Sequence, residues 1–164
     1  PNRFHHLYVD AWQRACPGAR TWIAPGLADK RADLAFTGVL GAAPEAAWAG
    51  VLEQVFVEGF PIANEVVFFH RASATLIATD LAFNFGADSP ALTRLAVRLG
   101  RGGPMSTTVL ERLAVRDRAA LRACLQRILA WPFERVIVAH GQVCERGGRE
   151  ALARGYAWLL DAAR

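Results

Sequence analysis

VVFFHRASATLIATDLAFNF, residues 66–85, is the stretch from which the rest of the chain is read. Two apolar runs, Val66-Val67-Phe68-Phe69 and Thr75-Leu76-Ile77-Ala78, flank the polar turn His70-Arg71-Ala72-Ser73. Both runs are short and rich in β-branched and aromatic side chains, which favours strand over helix and predicts a hairpin. The second run is apolar on both faces, as in a strand inside a covered sheet. It delivers one carboxylate, Asp80, straight into another apolar segment, Leu81-Ala82-Phe83. An ionised Asp at the end of a buried strand needs a cation, several N–H donors or a metal. The alternative is a turn or capping Asp whose hydrogen bonds are met locally.

The 164 residues fit one domain, and a hydrophobic fraction of 53% suffices for a core and excludes disorder. No apolar run approaches the roughly 18 residues that span a bilayer, so no membrane partner is expected. The sequence starts at Pro1 and enters structured-looking sequence at once, without a signal peptide, so a further N-terminal part is expected before it. Net charge is +4, but the arginines are spread along the whole chain and Lys30 is the one lysine. No basic cluster interleaved with aromatics appears, so a nucleic-acid face is not indicated. Cys16, Cys124 and Cys144 form no CxxC pair, which suits a reducing, cytoplasmic setting and argues against a disulfide framework or a thiolate zinc site.

Along the chain, Leu7, Tyr8, Ala11, Trp12 and Ala15 recur at helical spacing, so His5 and His6 stand at a helix start. Thr21 to Ala24 reads as a strand, Leu27 to Arg31 as a short helix and Val51 to Glu58 as a strand. Helices are predicted over Ala91 to Leu99, Val109 to Val115, Arg118 to Ala130 with Asp117 as N-cap, and Arg149 to Ala162. Arg101-Gly102-Gly103-Pro104 reads as a surface loop. Arg135 to Ala139 is a buried strand that ends at His140-Gly141. Strands alternating with helices define an α/β class.

All four histidines, His5, His6, His70 and His140, fall at element ends or turns. If His6, Asp80 and His140 converge, they make a two-His, one-carboxylate set suited to zinc, iron or manganese. A metal would also offset the cost of burying the Asp80 charge. The alternative is a histidine at a strand end bonded to backbone, with His5 and His6 on the surface and no metal at all. There is no GxSxG elbow, P-loop or GxGxxG after a strand.

The order of these pieces resembles the metallo-β-lactamase superfamily, from His5 to about Leu160. That family opens a helix with H-x-H-x-D-H; here His5-His6 opens one. Its strand-borne L-x-x-G-D-x-x-F matches Leu76-Ile77-Ala78-Thr79-Asp80-Leu81-Ala82-Phe83, and its V-x-x-G-H-G matches Val136-Ile137-Val138-Ala139-His140-Gly141. Trp12, Pro25-Gly26-Leu27 and Phe69-His70-Arg71 look closer still to a divergent bacterial branch of uncharacterised function. Pro1 and Arg3 stand where the first two histidines belong, and Gly59-Phe60 where a Gly-His belongs, so the resemblance implies loss of the three-histidine site. It leaves His6, Asp80 and His140 of the second site, with His5 in place of an Asp. The resemblance implies a four-layer αβ/βα sandwich lacking part of the N-terminal half. Either a missing segment or another copy of the chain would then cover the exposed sheet. It further implies one metal at most, held by His5, His6, Asp80 and His140, with His5 or His70 as proton carrier and Asp80 catalytic in a hydrolase of unknown small-molecule substrate. The competing reading is a binding or scaffold domain in which these side chains form only a hydrogen-bonded cluster.

Overall fold

A computed structural model describes residues 1–62, 64–86, 89–99 and 104–161. The Arg101-Gly102-Gly103 loop, residues 87 and 88, and the end of the last predicted helix lie outside the described residues.

The predicted hairpin forms. β3 (Leu52–Phe56), β4 (Val66–His70), β5 (Thr75–Ile77) and β6 (Arg135–Ile137) make one sheet in that order. β3–β4 and β4–β5 are antiparallel, whereas β5 and β6 run parallel, with Leu76 opposite Val136 and Ile77 opposite Ile137. The period-2 pattern sorts the faces: Val55, Val67, Phe69, Leu76 and Val136 all point to one side and are buried there. β4 and β5 are the inner strands, flanked on both sides, and β5 buries Thr75 and Leu76.

α4 (Arg118–Leu129) covers that face with the stripe Leu121, Cys124, Leu125 and Ile128, and Asp117 caps it by accepting from Ala120 N at 2.9 Å. α5 (Gly148–Gly155) and α6 (Ala157–Leu160) complete the layer. The predicted single last helix is two helices. Gly155 packs so close to Met105 that a Cβ there would lie 2.1 Å from its carbonyl oxygen, and the Tyr156 hydroxyl donates to Leu81 O, so the chain breaks at Tyr156.

On the other face, Trp48 packs edge-on against Phe68 and against Trp22, tying the large sheet to a second, parallel pair of strands. These are β1 (Trp22–Ile23) and β2 (Gly38–Val39). β2 is absent from the sequence reading because Gly-Val has no periodicity to detect. Leu27 to Arg31 is a single turn rather than a helix, with Lys30 N and Arg31 N both bonded to Leu27 O. α1 (Val9–Ala15) buries none of its residues, although apolar residues recur along it at helical spacing. α2 (Ala91–Leu99) and α3 (Val109–Ala114) follow their predicted spans. Among the described residues no helix is long and apolar enough to cross a membrane.

Leu76 is fully buried at the centre of the sheet. Leu76→Ala should cost about 2–5 kcal/mol in urea denaturation, and Asp117→Ala about 1 kcal/mol through loss of the cap.

Candidate metal centre

The parallel pairing of β5 with β6 places the site. Asp80 lies three residues beyond Ile77, and His140 three residues beyond Ile137. Equal offsets from paired residues bring the two side chains together at the carboxyl edge of the sheet. Two loops are then tied to each other: Asn84 N donates to His140 O at 3.0 Å, and Gln142 N to Asn84 O at 2.8 Å. Gly141, at φ +99°, is required there, since a Cβ would lie 2.1 Å from Asn84 O.

The third member comes from the first six residues. Asn2, buried, accepts from the backbone N–H of Phe4 at 2.9 Å and of His5 at 3.0 Å, and so sets a tight turn. Its amide donates to Thr79 Oγ1 at 2.8 Å and to Asp80 Oδ2 at 2.6 Å. This anchors the turn beside Asp80 and aims His5 inward. His5 Nε2 lies 3.0 Å and His140 Nε2 2.9 Å from the same oxygen, Asp80 Oδ1. The two imidazoles meet edge to face, with centroids 5.2 Å apart, and Phe83 backs His140.

One potential ligand atom from each of His5, Asp80 and His140 lies within 4.8 Å of the others. Among the described residues this is the one group of three or more His, Cys, Asp or Glu so arranged. Asp80 is largely shielded while the two histidines are partly open to solvent, so the cluster has a buried anchor and an accessible rim. Two imidazole nitrogens and a carboxylate oxygen suit zinc or iron. Ligand bonds of about 2.0–2.2 Å would need the two Nε2–Oδ1 separations of 3.0 and 2.9 Å to open by a few tenths of an ångström.

His6 and His70 stand elsewhere. His6 turns its Nδ1 to Arg31 Nη1 at 3.1 Å, and burial, with the charges of Lys30 and Arg31, holds its pKa below the ordinary imidazole range. The expected convergence of His6 with Asp80 and His140 is therefore corrected: its neighbour His5 takes the place, because the Asn2 turn points successive side chains in different directions. His70 closes β4 at the hairpin, where it pairs with Thr75, and its Nδ1 meets Ser73 Oγ at 2.7 Å. Asp80 leaves the opposite end of β5, five residues or roughly 16 Å along the strand direction. His70 cannot serve a reaction at Asp80 from there.

Two residues the sequence reading missed hold Asp80 in place: Asn2 and Glu65. Glu65 is fully enclosed and accepts from Thr79 N at 2.6 Å and from Asp80 N at 2.9 Å. The signal for Glu65 was its charge directly beside the apolar run at Val66; for Asn2 it was an Asx-turn residue three places before His5.

No family model matches the sequence, and no curated protein matches it. Solved structures do. The chain superposes on DIM-1 metallo-β-lactamase with a TM-score of 0.56 at 13% identity, over 96% of this chain and 64% of that one. Against the metal-soaked Flv1 flavodiiron core from Synechocystis sp. PCC6803 the TM-score is 0.60 at 14% identity, over 98% of this chain and 41% of that one. Against TTHA1623 in a di-iron-bound form it is 0.52 at 18% identity, over 92% and 70%. The protein has the metallo-β-lactamase fold, and it spans 64% of the length of the DIM-1 chain.

Burial pushes the Glu65 carboxyl up to about 7, against the Thr79 N–H that stabilises its anion. Between its ordinary 4.5 and about 7 the folded chain holds a proton that the unfolded chain has lost, so stability falls as pH rises through that window. In urea denaturation with chelator, the wild type should lose up to about 2–3 kcal/mol relative to Glu65→Gln between pH 5 and 7.5.

Proposed function

We propose that the protein is a single-metal hydrolase-like enzyme whose ion is held by His5, Asp80 and His140. The observation that carries this reading is the meeting of three ligand-type side chains, from distant parts of the chain, on one carboxylate oxygen. A zinc or iron ion held there would supply Lewis acidity towards a carbonyl or phosphoryl oxygen and lower the pKa of a nearby water.

The protein's own groups do the rest. Asn2 fixes Asp80 Oδ2, leaving Oδ1 to face both imidazoles. Glu65 fixes the backbone of Asp80. The partly exposed rims of His5 and His140 face the side from which a small-molecule substrate would arrive. The three free cysteines fit the reducing cytoplasmic setting proposed for this enzyme.

Purified protein loaded with zinc and desalted should retain about one equivalent, and His140→Ala or Asp80→Ala below about a tenth, with unchanged far-UV spectra. Asn2→Ala should weaken zinc binding by about 10–100-fold, since it removes a group that orients a ligand. Across a panel of chromogenic esters, thioesters and phosphodiesters, turnover should vanish with chelator and in Asp80→Ala. Turnover that survives in Asp80→Ala would overturn the assignment.

A further inference from the structure

Three buried polar atoms, Thr107 Oγ1, Arg112 Nε and Trp158 Nε1, have no hydrogen-bond partner among the described residues. Buried hydroxyl, guanidinium and indole groups rarely stay unpaired, because losing water without a replacement is costly. None of the three belongs to the His5–Asp80–His140 cluster. They meet in one seam between α3, α6 and the segment entering α3. The Arg112 guanidinium carbon stands 5.3 Å from the centre of the Trp158 ring, and Arg112 Nη2 donates to Thr107 O at 3.3 Å.

Thr107 and Trp158 both line one small cavity whose other walls are mostly apolar, Leu81, Val115 and Leu121 among them. Its volume of about 10 Å³ is about that needed for a single water. Tyr156 also lines it, but its hydroxyl is already committed to Leu81 O. The Glu111 carboxylate is the remaining polar group on the wall, and it accepts from Thr108 N at 2.9 Å.

The chemistry of this wall selects the occupant. An indole N–H only donates, so the occupant must accept. A hydroxyl does either, and an ionised carboxylate only accepts, so a group that also donates suits all three. Water does both, and the volume admits no organic ligand. A halide would accept from Trp158 but would sit against the Glu111 carboxylate, a like charge in a mostly apolar wall.

We infer that one water molecule is held in this cavity as a structural ligand, accepting from Trp158 Nε1 and bonded to Thr107 Oγ1. The site does not depend on the metal-centre reading above. Ser106 Oγ, on the neighbouring residue, donates to Gly155 O at 2.9 Å, so the water extends a seam that direct bonds already close in part.

Magnetic relaxation dispersion of the water oxygen counts waters that stay inside a protein for longer than it takes to tumble. The wild type should hold one long-lived water more than Thr107→Val, and one more than Trp158→Phe, each compared at an unchanged far-UV spectrum. The double variant should lose that same single water and not two, since both residues hold one molecule. A second readout needs no substitution. In the wild type the Trp158 indole proton should give water cross-peaks of opposite sign in NOE and ROE spectra, the mark of a long-lived neighbour. Cross-peaks of the same sign, or none, would overturn the inference, as would equal water counts in the wild type and both single variants. Crystals grown with bromide should show no anomalous peak between Thr107 and Trp158; a peak there would replace the water with a halide and overturn the assignment.

Discussion

The parallel contact between β5 and β6 is the constraint on which the candidate site depends. Parallel neighbours cannot be joined by a tight turn, so nearly sixty residues, from Ala78 to Glu134, separate these two strands. That long excursion supplies α4, which buries the sheet. It also means that Asp80 and His140 leave the sheet in the same direction and at the same height. In an antiparallel pair they would leave at opposite ends, as His70 and Asp80 do around the β4–β5 hairpin. One choice of strand direction thus brings two ligand-type residues together and removes a third.

A buried carboxylate then holds the geometry. Glu65 gives up solvation to accept two backbone N–H groups at the exit of β5, and those groups belong to Thr79 and Asp80. Without it, the N–H groups that follow the last ladder bond of β5 would be unpaired in a dry interior, at about 1–3 kcal/mol each. Asn2 plays the matching part from the other side, bonding Thr79, Asp80 and the His5 backbone at once. The cluster is therefore braced from behind by two buried side chains, Asn2 from the N-terminal turn and Glu65 from the residue before β4.

Much of this was legible in the sequence, and the losses have physical causes. The hairpin, α4 and its cap, and the strand leading to His140 carried strong periodic or capping signals. Asp80 and His140 stood out because polar groups closing apolar strands are costly unless they meet. His5 and His6 could not be separated, since adjacent residues on a turn differ in direction by an angle that only the Asn2 hydrogen bonds set. His70 was excluded in principle once the hairpin was drawn, because an antiparallel turn sends its tip away from the far end of the second strand. The amphipathic pattern of α1 reported a helix correctly but not which side would be covered. Periodicity records that a face is apolar; it does not record what the face meets.

The hydrogen-bonded geometry of the cluster also bears on how tightly the site could hold an ion. An ionised carboxylate only accepts hydrogen bonds, so with Asp80 ionised each Nε2 at 2.9–3.0 Å from Oδ1 bonds it through a ring hydrogen. Coordination through Nε2 needs the lone pair instead, so each imidazole must shift its proton to Nδ1 or release it to solvent. Both charge-assisted bonds to Asp80 are surrendered in the exchange, each worth about 1.5–3 kcal/mol. Proton and metal thus compete for the same nitrogen atoms. The compensation is preorganisation: both rings already meet on one oxygen of Asp80, so less conformational entropy is lost when an ion is bound.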